Sequence, residues 1–284
     1  MKINKFPIVI FLSSLLVYSS CGTNEEPKAP VAKVEFDQVP EVDENKYSFV
    51  PPSPLQIASI FKKAGLMYDA SLLNPTTKSE TYSNKFKQSL NFGVYSADLA
   101  YCVKNEKYTE AGEYLNTLKS LSAKIGLETV FASENLIERF KSNIGNQDSI
   151  VEILIFVQEN TDEYIEQNGK IDLAVVYYSG AWVEGMYFGA MTASQNKTNN
   201  IGMIISEQMN MANALYKGLM AVDDMSVEIE DLAESIMEFI KTYDNFESVK
   251  AIGEDSEFFD IELTQAEVEE ISKKIIVLRN SIVQ

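Results

Sequence analysis

The sequence predicts an all-α fold, a single multi-helix bundle of about nine helices, and three observations lead to it. All eight prolines lie at or before Pro75, so the rest of the chain lacks the residue that most reliably breaks a helix. Apolar residues recur at three- and four-residue steps, as in Val268, Ile271, Ile275, Leu278 and Ile282, which places them on one helix face. Capping signals stand ahead of such stripes. Thr264 and Glu267 form a capping box before the last stripe, and Ser149 with Glu152 repeats the spacing before another.

In chain order, Ser53 followed by Pro54 reads as an N-cap and first-turn proline, opening a helix over 54–68. Apolar spacing continues over 82–104 and 108–124, the latter stopped by Gly126. Helices over 130–143 and 149–167 follow, with Gly169 ending the second. The stretch 171–194 is apolar nearly all round and reads as the central helix. Ala181, Gly185, Gly189 and Ala193 stand four apart on it, a ridge of small residues that admits a close neighbour. Glu184 in its middle argues for a buried bundle helix over a membrane span. Helices over 199–220, 226–243 and 265–282 complete the set. Residues 51–284 are expected to be one helical domain.

The first twenty residues have a different design. Lys2 and Lys5 precede an apolar run from Ile8 to Val17, and Tyr18, Ser19 and Ser20 lead into Cys21. This is the layout of a secretory signal, too short to span a bilayer comfortably. A cysteine at the cut makes residues 1–20 read as a lipoprotein signal peptide, with Cys21 as the lipidation site. Tyr18 departs from the usual aliphatic residue there. Residues 21–50, with Pro27, Pro30 and Pro40 and several charges, read as a flexible tether. Glu25 and Glu26 behind the cysteine resemble an acidic export signal for the outer membrane, which sets the expected address as an outer membrane lipoprotein, periplasmic or surface-exposed. The other cysteine, Cys102, lies in an apolar run and reads as a small buried hydrophobe.

The formal charge is −18, and losing Lys2 and Lys5 with the signal takes it to −20. Such a surface repels phosphate backbones and anionic membranes, so nucleic acid is excluded as a partner and the lipid is left to bind the membrane. Histidine is absent from all 284 residues. That excludes Ser–His–Asp and Cys–His catalysis, His-ligated zinc and proximal-His haem. No P-loop, CxxC or GxGxxG motif occurs either. No cofactor or metal is expected.

Four stretches, "PPSPLQIASIFKKAGLMY", "SLLN", "LNFGVYSADLAY" and "SGAWVEGMYFG", together resemble a family of uncharacterised Bacteroidetes lipoproteins. In those chains a Pro-Ser-Pro start, a Leu-Leu-Asn, a Gly-x-Tyr-x-x-Asp-Leu-x-Tyr and a Trp-x-Glu-Gly follow in this order. The resemblance covers roughly residues 50–220. Phe92 before Gly93 and Ala181 before Trp182 differ from the family pattern. The resemblance implies an all-helical, lipid-anchored envelope protein and no particular activity.

Candidate site residues come from buried acids. Asp98 and Glu184 each stand in apolar surroundings, where a carboxylate must be paired, hydrogen-bonded or protonated. Each precedes a tyrosine by three residues, Tyr101 and Tyr187, which puts acid and phenol on one helix face. The two segments lie 86 residues apart and suggest a weak internal duplication, with Asp98 and Glu184 meeting near its axis. Together with Trp182 they form either a buried polar network that sets helix register or a site for a ligand, a metal or acid–base chemistry on a glycan. The network is the reading preferred. Eight of the ten methionines fall between Met186 and Met237, which reads as core filler before it reads as a groove lining. Residues 223–270 carry 17 acids against Lys241 and Lys250, a solvated face, and "GEDSEFFDIE" lacks EF-hand spacing.

The expectation is a lipid-anchored envelope protein that binds another envelope protein or a small ligand without catalysis. The alternative is a carboxylate-based enzyme or a ligand-sequestering protein using Asp98 and Glu184.

Overall fold

In a computed structural model the described residues are 53–132, 135–195, 200–251 and 261–284. The signal, Cys21, the tether and most of the acidic "GEDSEFFDIE" lie outside them. All described residues fall in one compact unit, Glu44–Gln284. They are all-α, with no strand among them.

Helix α1 (Pro54–Lys63) opens as expected: Ser53 accepts from the Gln56 amide at 3.3 Å, while Gln56 Oε1 accepts from the Ser53 amide at 2.8 Å. It ends five residues before the expected 68. Gly65 takes φ of 100°, and the amides of Gly65 and Leu66 bond to the carbonyls of Lys62 and Phe61, a left-handed C-terminal stop that only glycine enters without strain. Two short 3₁₀ turns, Ala70–Leu72 and Thr76–Glu80, then lead to α2 (Lys85–Lys104), capped by Asn84. Helix α3 (Tyr108–Ile125) stops at Gly126, which has φ of 80°. The expected 130–143 helix is two, α4 (Glu128–Ala132) and α5 (Leu136–Ser142), because Asn135 takes a left-handed φ of 50°.

Helix α6 (Gln147–Gln167) corrects one capping assignment. Its N-cap is Asn146, whose side chain accepts from the Ser149 amide at 3.2 Å, so Ser149 and Glu152 lie inside the helix. After Gly169, α7 (Ile171–Gln195) runs 25 residues, about 37 Å. The expected 199–220 helix is interrupted at Gln208, giving α8 (Asn200–Glu207) and α9 (Met209–Met220). Helix α10 (Val227–Asp244), a single turn α11 (Glu247–Lys250) and α12 (Gln265–Ile282) finish the fold. The Thr264–Glu267 capping box forms, and Glu267 also accepts from the Ser248 amide and hydroxyl. Burial alone would raise the Glu267 pKa, but those hydrogen bonds outweigh it and bring the group down to about 2.

Helix α7 is the centre, contacting α1, α2, α6, α8, α9 and α12. Among the described residues no helix is long and apolar enough to cross a membrane. The small-residue ridge does receive a neighbour: a Cβ at Gly185 would meet Ile57, and one at Gly189 would meet Phe61, both on α1. The closest backbone approach is elsewhere. A Cβ at Gly93 would lie 1.8 Å from the Tyr177 carbonyl oxygen, and one at Gly180 would lie 1.9 Å from that of Leu90. This reciprocal contact locks α2 onto α7, with the two helices running the same way, since Tyr101 further along α2 stacks on Phe188 at 4.5 Å. Cys102 on α2 is fully buried, as expected, with Tyr68 beside it.

Candidate functional site

Asp98 on α2 and Glu184 on α7 both have no exposed surface, and the α2–α7 contact brings them together. Glu184 is held by Arg279 of α12 in a two-pronged ion pair, Nε to Oε2 at 2.8 Å and one terminal nitrogen to Oε1 at 2.9 Å. The same terminal nitrogen donates to the Leu72 carbonyl at 3.1 Å. The Arg279 guanidinium lies 4.5 Å from the Tyr187 ring centre, a cation–π contact on its remaining face. Although burial works against it, Glu184 holds the Arg279 charge more firmly than usual.

Asp98 accepts from the Asn74 amide at 3.2 Å through Oδ2, while its Oδ1 has no donor facing it. Its other neighbour is the Glu184 carboxylate. Two buried carboxylates and one guanidinium carry a surplus negative charge, and a proton between the acids removes it. Burial and the Glu184 charge push the Asp98 pKa well up. Asp98 is therefore the neutral acid and donates to Glu184, whose charge Arg279 neutralises.

This network ties the 66–82 segment to three helices. Asn74 donates through its side chain to the Tyr82 hydroxyl at 2.9 Å and to Asn91 Oδ1 at 3.4 Å, and Tyr114 donates to the Asn74 carbonyl at 3.1 Å. Asn91 reaches the Ile282 carbonyl at 3.0 Å, which fastens the C-terminal end of α12 to α2. Stretches quoted above for the resemblance supply Leu72, Asn74, Asn91, Asp98, Glu184 and Tyr187 to it.

The tyrosines and the tryptophan do not gather around the acids. Tyr101 donates to the Met67 carbonyl at 2.8 Å and accepts from the Asp69 amide at 2.9 Å, pinning a loop. Trp182 is buried edge-on against Phe239 of α10, at 5.5 Å. Tyr187 joins only through Arg279. Arg279 itself went unnoticed in the sequence, although a signal existed. It stands four residues after Ile275 and three before Ile282, so it occupies the buried stripe of α12. Leu278, assigned to that stripe, is only partly buried.

A pH dependence follows from Asp98. A group whose pKa rises on folding stabilises the native state below its unfolded value, near 4, and that stability is lost as pH rises through the native value. In that window the loss is about 1.4 kcal/mol per pH unit. Asp98→Asn keeps the shape and the neutral charge, so its melting temperature relative to wild type should climb between pH 5 and pH 8. A difference that stays flat with pH would show that Asp98 is ionised in the folded protein.

No group of three or more metal-ligating acids or cysteines forms among the described residues. Open space lies elsewhere. A groove of about 480 Å³ runs with α2 as its floor between α1 and α6. Phe92, Leu99, Leu118, Phe131 and Leu154 line it, with Gln56, Ser59, Ser96 and Gln158 among them. At one end Asp162 accepts from Tyr177 at 2.9 Å and from Tyr178, and Gln158 donates to its other oxygen at 3.3 Å. Lys104 lines the groove at the far end of α2. Nothing in the local sequence marks these residues, because the groove is assembled from six separate helices.

No protein-family model, no curated protein and no solved structure matches the chain. The fold and site define its class as a single all-α bundle closed around a buried acid–arginine network.

Proposed function

We propose that this chain is a lipid-anchored cell-envelope protein acting as a non-catalytic binding module, with the groove between α1 and α6 as its binding surface. The observation that carries the reading is a contrast. Asp98 and Glu184 are sealed and charge-balanced, whereas the groove has open volume in the range of small-ligand sites and an apolar lining with scattered polar groups. A general acid or base must reach a substrate proton, and among the described residues Asp98 and Glu184 have their hydrogen bonds and ion pair with each other, Asn74 and Arg279. The anchor rests on the lipoprotein signal and Cys21, and on the resemblance to the Bacteroidetes lipoproteins.

Each half of the proposal has its own test. Cys21→Ser should abolish incorporation of labelled palmitate; equal labelling of wild type and variant would remove the anchor. Nile red should brighten on the full native chain and lose that response in Gln158→Trp, where the indole fills the groove from α6. Undiminished brightening would show that the dye sits elsewhere and that the groove is not the binding surface.

A further inference from the structure

We infer that the groove takes an extended peptide of about five residues, with a cationic group at the Asp162 end and a carboxylate at the Lys104 end; this rests on the groove being the binding surface. Two charges on its lining carry the inference. Asp162 and Glu159 lie at one end, and among the described residues no lysine or arginine pairs with either. Asp162 is fixed in place by its tyrosine and glutamine donors, which orient a carboxylate without neutralising it. Lys104 lines the other end, and no acid among the described residues pairs with it. Lys62 donates to the Lys104 carbonyl, and Lys62 and Lys63 crowd it further, so positive charge gathers there in a chain of strongly negative net charge.

The spacing of these charges selects the ligand. Phe92 packs against Tyr177 at 5.7 Å, and Tyr177 bonds Asp162, so the acid end lies level with Phe92. Lys104 is three helical turns further along α2, about 18 Å away. A free amino acid is too short to span that distance, and five or six extended residues match it. An acyl chain has no use for charges at both ends. Between the charges, the Ser59 and Ser96 hydroxyls donate to their own helices, Gln56 Oε1 caps α1 and Gln158 Nε2 donates to Asp162. That leaves the two hydroxyl oxygens and Gln158 Oε1 to accept and Gln56 Nε2 to donate. These suit a peptide backbone, whose N–H and C=O groups need partners once out of water. Unpaired charges of opposite sign also impose a direction on the bound segment.

The test is selection of a random nonapeptide library on the full chain, followed by binding of the enriched peptides to Asp162→Asn, Lys104→Gln and Gln158→Trp. Enriched peptides should carry a lysine or arginine four to six positions from an acidic residue or the C-terminus. Their Kd should rise at least tenfold on Asp162→Asn and on Lys104→Gln, with melting curves unchanged; Glu159→Gln substitutes at the acidic end if Asp162→Asn perturbs folding. Equal binding to the charge variants, with loss on Gln158→Trp, overturns the peptide's polarity and leaves the groove standing. Laurate bound by wild type and not by Gln158→Trp, with no peptide enriched, overturns the peptide in favour of an acyl chain. Undiminished binding to Gln158→Trp, or no binding of either probe, removes the groove and the inference together.

Discussion

Arg279→Met should destabilise the protein by about 3–5 kcal/mol, the range for stripping the partner from a buried charge. Methionine matches the length and apolar stem of arginine and suits a helix interior, so lost packing and propensity contribute little. What is lost is the cation that neutralises Glu184, together with the hydrogen bond that holds the Leu72 carbonyl. Glu184 must then take up a proton or stay charged without compensation beside Asp98. The double variant Arg279→Met, Glu184→Gln removes that burden and should recover part of the loss, a non-additivity that urea denaturation of the single and double variants can read. If Arg279→Met costs less than about 1 kcal/mol, the network is not what closes the bundle.

Gly93→Ala should be more damaging still, with a cost above about 4 kcal/mol or no folded protein at all. The added Cβ would sit 1.8 Å from the Tyr177 carbonyl oxygen and 2.7 Å from the Ala181 nitrogen, so two backbones must part. Parting α2 from α7 separates Asp98 from Glu184 and Tyr101 from Phe188. Gly185→Ala makes the informative control. Its Cβ meets the Ile57 side chain at 2.4 Å, and an isoleucine on α1 can shift where a carbonyl on a central helix cannot. Far-UV circular dichroism melts should therefore rank Gly93→Ala well below Gly185→Ala. The reverse order would place the tight seam of the bundle at α1.

Local chemistry made much of this structure readable in advance. Helix type and the approximate position of nine helical stretches follow from proline placement and apolar period, because both act within a few residues along the chain. The same holds for Ser53 and Thr264, whose caps form with their own neighbours. The misplaced features depended on small backbone choices. Gly65 stops α1 early, Asn135 divides one helix, and Asn146 caps α6 in place of Ser149. Each offers a local alternative of similar strength to the one expected, and tertiary packing chooses between them.

The candidate site divides in the same way. That Asp98 and Glu184 are buried acids needing compensation was legible, because a carboxylate amid apolar residues has few stable options. What supplies the compensation was not legible. Arg279 lies 95 residues from Glu184, and Asn74 is 24 from Asp98, separations at which no sequence period operates. The acid–tyrosine spacing put each pair on one helix, yet Tyr101 turned to the Met67 carbonyl and Tyr187 to the guanidinium. The groove was wholly a product of assembly. By itself, the sequence determined an all-α chain with buried acids, because periodicity, capping and desolvation act locally. Only the tertiary structure decided which cation neutralises them, that the acids are sealed, and where open space remains, because partners and cavities arise when distant helices pack.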